Sequence, residues 1–166
     1  LYAVNERNWP ASDFALLAPF GLAGAFAGNV IAGQVADLIG RRWALSLFLA
    51  LLGVFTIICY SSTEWMLIAA SFVISQALLG IWNVAYTLNS ELFPTPLRAA
   101  ANGWCHNLIG RWGMVTAPML MGAFSETSGS IGAAASMLGV AAWLAIPIII
   151  FVLPETRGRR LDNQAV

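Results

Sequence analysis

The chain has 166 residues, 59% of them hydrophobic and only 10% charged, with eight basic residues balancing eight acidic ones. A soluble domain is nearer a quarter charged, and a mean hydropathy of +0.76 leaves too little polar surface to cover a water-soluble globule. A soluble helical bundle is excluded further by runs such as Trp43–Tyr60, WALSLFLALLGVFTIICY, which have no polar face. The alternating segments of about 10 residues that mark a membrane β-barrel are absent.

Residues 1–13, LYAVNERNWPASD, lack the basic start and apolar core of a signal peptide and read as an external loop. Uncharged runs then follow at Phe14–Ala36, Trp43–Thr63, Trp65–Ser90, Ala99–Ser125 (interrupted by Arg111) and Thr127–Pro154. A helix needs about 20 apolar residues to cross a bilayer. The expectation is therefore an all-α polytopic membrane bundle of five spans within residues 14–154, at 14–36, 43–60, 65–90, 99–124 and 131–153. Residues 155–166 read as a cytoplasmic tail. Trp9, Tyr60 and Trp65 fall near span ends, where interfacial aromatics anchor. Cys59 and Cys105 lie inside apolar runs and read as small buried hydrophobes.

Every basic residue is an arginine. Alternate connections lie on alternate sides of a membrane. Arg41, Arg42, Arg98, Arg157, Arg159 and Arg160 then share one side and Arg7 takes the other, which makes the first side cytoplasmic by the positive-inside rule. The N-terminus falls outside and the C-terminus inside, in the plasma or inner membrane. The odd number of spans and the initial Leu1 predict at least one upstream helix.

Three charged stretches lie on the predicted cytoplasmic side. The first is GQVADLIGRR, Gly33–Arg42, between spans one and two. Asp37 stands at a helix C-terminus, where the dipole disfavours an acid, so it needs a partner such as Arg41 or Arg42. Gly40 suits a tight turn, and Gly33 suits close approach of a neighbouring helix. The second stretch is ELFPTPLR, Glu91–Arg98, and the third is PETRGRRLD, Pro154–Asp162. Taken alone, the first is equally a plain positive-inside loop.

Together the three, in this order, resemble the C-terminal half of a major facilitator superfamily transporter, nearest the branch of sugar porters and organic-acid metabolite porters. The resemblance covers nearly the whole chain. It implies that the five spans are the eighth to twelfth of twelve, with the N-terminal half of the same transporter as partner. It also implies that Asp37, Arg41, Arg42, Glu91, Arg98 and Glu155 form a cytoplasmic gate network. Such pairs hold when the two halves meet and break when they rock apart.

Polar residues inside the spans are candidates for the substrate path. Arg111 lies midway along span four, where an arginine costs roughly 2.5–3.5 kcal/mol on insertion scales. It reads either as a carboxylate-binding fork or as a structural ion pair, with Asn107 one turn earlier and Trp104 near the same face. His106 is the only histidine; it reads as a proton relay or a packing residue. In span three Gln76, Asn83 and Tyr86 read as cavity lining or as interhelical hydrogen bonds, with Thr87 in register. Asn29 in span one is a further candidate. Gly21, Gly24, Ala25, Gly28 and Ala32 make a smooth packing face, and Pro118 and Pro147 are expected to kink their helices.

The helix matching span three lacks the proline–tryptophan element usual in sugar porters. ANGWCHNLIGRWG looks more like transporters of aromatic acids and other organic metabolites. The expected cargo is a small organic anion, and the resemblance implies alternating access with proton coupling. A sugar porter, a drug or metabolite exporter, or a standalone membrane scaffold are the alternatives. No phosphate-binding glycine loop, metal-ligand spacing or nucleophile–base pair appears, so the sequence predicts neither an enzyme nor a cofactor, metal or nucleic-acid partner.

Overall fold

A computed structural model describes Glu6 and residues 8–158; Arg7, Arg159 and Arg160 lie outside them. All regular structure among the described residues is helical. α1 spans Ala11–Ile39, α2 Arg41–Ser61, α3 Trp65–Leu78, α4 Ile81–Leu92 and α5 Thr95–Asn102. A π-helical segment, Gly103–Gly110, follows, then α6 Arg111–Ser128, α7 Ile131–Ala142 and α8 Ala145–Val152.

Helix ends follow local chemistry. α1 starts after Pro10, which is extended and has no N–H to lose to the helix. It ends at Gly40, whose φ of +100° only glycine adopts without strain. α2 begins at the next residue, so a single glycine turns the chain. Pro94 precedes α5 and Pro96 sits in its first turn. Gly129, at φ +73°, closes α6 in the left-handed conformation. Ser130 then caps α7, its hydroxyl accepting from the Ala133 N–H at 3.0 Å.

Four helical stretches are long and apolar enough to cross a membrane: Ala15–Ile39, Arg41–Ser61, Trp65–Leu92 and Ile131–Val152. The third is α3 plus α4, bent at Leu79–Gly80. The fourth is α7 plus α8, broken at Trp143–Leu144. Pro147 explains that break, because its ring clashes with the carbonyl four residues earlier. Pro118 instead lies within the unbroken α6.

The fourth expected span, 99–124, differs most from expectation. The chain is helical through it, but residues 103–110 wind as a π-helix between α5 and α6. Asn107 and Arg111 therefore do not stand in simple α-helical register.

α2 is the central helix, touching α1, α3 and α4 on one side and α7 and α8 on the other. The buried core gathers at its Arg41 end: Ala32 and Ala36 of α1, Ala44, Leu45 and Phe48 of α2, Leu78 of α3, and Val84 and Leu88 of α4. Against α3, the glycines of α1 allow near backbone contact. A Cβ on Gly28 would lie 1.9 Å from the Ala77 carbonyl oxygen, and one on Gly24 would lie 2.8 Å from that of Val73. Gly33 corrects the expectation of close approach, since a Cβ there would meet nothing within 4 Å. It falls on the side of α1 turned away from α3.

On the other side of α2, Gly53 receives the Trp143 indole, which donates to the Ala50 carbonyl at 3.2 Å. α6 is the least covered helix. Residues 111–120 are all exposed and none of its side chains is buried. Large apolar side chains such as Phe20, Phe26, Met119 and Phe151 also stand on the surface, as the lipid-facing wall of a bundle requires.

Candidate functional site

Two constellations bring the predicted residues together. The first is the charged corner where α1 turns into α2. The Glu155 carboxylate caps the N-terminus of α2, accepting from the backbone N–H groups of Arg41 at 2.9 Å and Arg42 at 3.3 Å. It also accepts from its own segment, the N–H groups of Thr156 at 3.0 Å and Arg157 at 3.1 Å. A carboxylate suits this place because the first N–H groups of a helix are unsatisfied and carry the positive end of its dipole. Gly40 is required twice over, by its positive φ and because a Cβ would lie 2.5 Å from a Glu155 oxygen.

The Arg41 side chain points the other way, into the seam between α1 and α4. Nη2 lies 3.0 Å from Glu91 Oε1, and Nε donates to both Glu91 oxygens at 3.1 Å. Nη1 reaches Asp37 Oδ1 at 2.8 Å and the Ala36 carbonyl at 3.1 Å. Arg41 and Glu91 are each only 14% exposed, whereas Asp37 is 70% exposed. The first pair is therefore the well-shielded one.

Thr156, buried to 1% exposure, donates its hydroxyl to Glu91 Oε2 and closes the ring of contacts between the α4 end and the Pro154–Arg157 segment. Arg42 joins through its backbone; its guanidinium lies over the neighbouring Trp43 ring, 5.4 Å from the centroid. Arg98 is not drawn into the corner by any contact seen here: its Nε and Nη2 are buried without a hydrogen-bond partner among the described residues.

The second constellation is a cavity of about 220 Å³ between α4 and the π segment. Trp82, Tyr86, His106, Asn107, Gly110, Arg111 and Met114 line it. His106 stacks on Tyr86 with ring centroids 3.6 Å apart and an interplanar angle of 17°, and Trp82 meets it edge-on at 6.1 Å. The Nε2 of His106 makes no hydrogen bond among the described residues. Arg111 is exposed and makes no hydrogen bond or ion pair among the described residues. A second, shallower hollow on the far side of Asn107 and Arg111 adds Leu108, Trp112 and Val115. Trp104 lines neither.

Residues 1–165 match the family model of the Major Facilitator Superfamily. The chain belongs to the Major Facilitator Superfamily. It is similar to a Haemophilus influenzae protein named as a metabolite transport protein, with 31% identity over 85% of this chain and 34% of the relative. It is 24% identical to a niacin transporter of Acinetobacter baylyi, over 82% of this chain and 31% of that one. It is 26% identical to a Cupriavidus pinatubonensis protein named as a probable 4-methylmuconolactone transporter, over 96% and 37%. The chain spans about a quarter to just over a third of the length of the curated relatives it matches. As a member of this superfamily with apolar spanning helices, it is an integral membrane protein.

The superfamily chain does not gather all of its intramembrane candidates at Arg111. Asn83 donates to the Asn29 side chain at 2.9 Å, joining α4 to α1. It lines a different cavity, of about 290 Å³, with Gly33, Asp37, Arg41 and Thr87. Asn83 and Asn29 thus belong with the charged corner, and Tyr86 with Arg111. Gln76 is half-buried in the α1–α3 contact, where a Cβ on Gly21 would come within 3.4 Å of its side chain.

Three contributors escape sequence reasoning. Thr156 follows the acid in Pro-Glu-Thr, yet only the fold shows its hydroxyl on Glu91. Trp82 is one of many apolar-run aromatics until the π segment sets His106 beside it. Ser90 accepts from Asn102 at 3.1 Å and ties α4 to α5 across the Pro94 turn.

Proposed function

We propose that this chain is the C-terminal part of a secondary transporter that moves a small organic anion by alternating access, with Arg111 as the cation that holds the carboxylate. The observation that carries the reading is an arginine in a helix of a membrane protein, lining a cavity and with no ion pair among the described residues. Intramembrane arginines are costly and face cavities or partners, and the guanidinium fork matches a carboxylate in two parallel hydrogen bonds. The relatives named for niacin and metabolite transport favour the same cargo class.

The charged corner supplies the gate. Arg41 links α1, α2 and α4, while Glu155 and Thr156 fasten the end of the chain to the same point. Contacts of this kind hold one face of the transporter closed and break when the domains rock. The positive-inside asymmetry of the arginines supports a cytoplasmic position for this corner. Inward proton flow drives uptake in this account.

The test is uptake of labelled niacin, benzoate and glucose by proteoliposomes containing the full-length transporter, with and without an inward proton gradient. Gradient-stimulated accumulation of an organic acid, but not of glucose, is expected. Glucose accumulation, or acid flux indifferent to the gradient, would replace this reading with a sugar porter or an uncoupled carrier.

A further inference from the structure

The two arginines that follow Gly40 take different partners. The Arg41 guanidinium is engaged by Glu91, Asp37 and the Ala36 carbonyl. That of Arg42 has no ion pair among the described residues. It lies over the Trp43 ring, 5.4 Å from the centroid, and its Nε is buried without a hydrogen-bond partner. Stacking on an indole orients a guanidinium and leaves its N–H groups to seek an acceptor.

Glu155 sets a second arginine beside the first. Its carboxylate accepts from the backbone N–H of Arg42 at 3.3 Å and from that of Arg157 at 3.1 Å, so both residues start from one anion. The Arg157 side chain is exposed and has no ion pair among the described residues. The acids of the corner are engaged elsewhere. Asp37 and Glu91 are held by Arg41, and Glu155 faces backbone N–H groups. Two guanidinium charges are thus left without a carboxylate of their own.

The surface that continues from this pair is apolar. Trp43, Leu47, Leu51 and Val54 of α2 are all exposed, and they recur at helical spacing, so they form one stripe along the helix. α8 packs against α2 and exposes Ile148, Phe151 and Val152 just before Pro154. A tryptophan therefore stands between a basic pair and an apolar stripe, the order in which a bilayer presents phosphate, interface and hydrocarbon.

We propose that Arg42, Trp43 and Arg157 form a binding site for the phosphate of an anionic phospholipid, whose acyl chains lie along the exposed stripe of α2. The two guanidinium groups hydrogen-bond the phosphate oxygens, for which their fork geometry is suited. The Trp43 ring holds Arg42 in place at the depth of the headgroup. The site is separate from the substrate path and independent of the cargo.

The test is lipid binding to the purified full-length transporter in detergent, read by native mass spectrometry. Dioleoylphosphatidylglycerol and dioleoylphosphatidylcholine are offered in equal amounts; they share their acyl chains and differ in net charge. Phosphatidylglycerol is expected to be preferred in the tightest bound position by at least about fivefold, the worth of one basic residue at an anionic membrane surface. Arg42→Gln and Arg157→Gln should each lower that preference by about fivefold, whereas Arg42→Lys keeps the charge and should retain most of it. Arg157→Gln alters an exposed side chain and carries the test if the Arg42 variant fails to fold. Equal binding of the two lipids by the wild type, or a preference unchanged in both Gln variants, would overturn the proposal. Displacement of phosphatidylglycerol by millimolar inorganic phosphate would overturn it too, because the site would then serve a soluble anion.

Discussion

Arg41 Nη2 stands 3.0 Å from Glu91 Oε1, across the seam between α2 and α4, while the same guanidinium reaches Asp37 at 2.8 Å. The two contacts are nearly equal in length but not in surroundings. Glu91 is 14% exposed and Asp37 is 70% exposed. Shielding from water, and not distance, separates their expected worth.

Glu91→Gln is therefore expected to lower stability by about 2 kcal/mol, because it leaves a half-buried guanidinium without its main counter-charge. Asp37→Asn should cost under about 1 kcal/mol. Thermal unfolding of the full-length transporter in detergent, at low and high salt, checks the ranking. Only the Asp37 effect should fade strongly with salt. Equal losses would mean that the shielding seen here does not govern the corner.

Gly40 and Glu155 make a second, separable prediction. Gly40→Ala meets both a positive φ, +100°, and a carboxylate oxygen 2.5 Å from the new Cβ. A cost of roughly 1–3 kcal/mol is expected. Adding Glu155→Ala removes the steric part only, so the double variant should not recover to the level of Glu155→Ala alone. Full recovery would show that space, and not backbone conformation, demands the glycine.

The α1–α3 contact distinguishes glycines that look alike in sequence. Gly28→Ala places a methyl group 1.9 Å from the Ala77 oxygen, so the helices must separate, at about 1–3 kcal/mol. Gly33→Ala meets nothing within 4 Å in this chain and should gain up to about 1 kcal/mol of helix propensity. Stability of the two variants, compared by thermal unfolding, should move in opposite directions.

How much of this was legible beforehand depends on the scale of the interaction. Helix positions follow from long apolar runs, since a bilayer rewards any 20-residue apolar helix irrespective of its neighbours. The expected boundaries 43–60 and 65–90 lie within two residues of α2 and of the α3–α4 stretch at each end. The corner was anticipated through the family resemblance of its three charged motifs, which implied a network of Asp37, Arg41, Arg42, Glu91, Arg98 and Glu155; Arg98 is the member whose Nε and Nη2 find no hydrogen-bond partner among the described residues.

What the sequence did not show depends on side-chain direction and on backbone winding. Asn83 and Tyr86 are three residues apart, which suggests one face, yet they line different cavities because α4 sits wedged between α1 and the π segment. The π segment itself has no signature in a reading that assumes 3.6 residues per turn. Thr156 was silent because one hydroxyl leaves no mark in hydropathy, although it donates to the Glu91 carboxylate. Gly33 was misread because periodicity alone does not say which stripe of a small-residue helix meets its neighbour.

The measurement that bears most directly on the central claim is the affinity of the full-length transporter for an organic acid in the wild type, Arg111→Lys and Arg111→Ala. The account predicts a loss of at least about tenfold for Arg111→Ala, as expected when a charge-assisted hydrogen bond to the carboxylate is removed. Arg111→Lys should be intermediate, because it keeps the charge but not the fork. Unfolding temperatures should stay close to wild type, since Arg111 makes no ion pair among the described residues. Unchanged affinity, or a collapse of stability in place of binding, would contradict it and make Arg111 a structural residue.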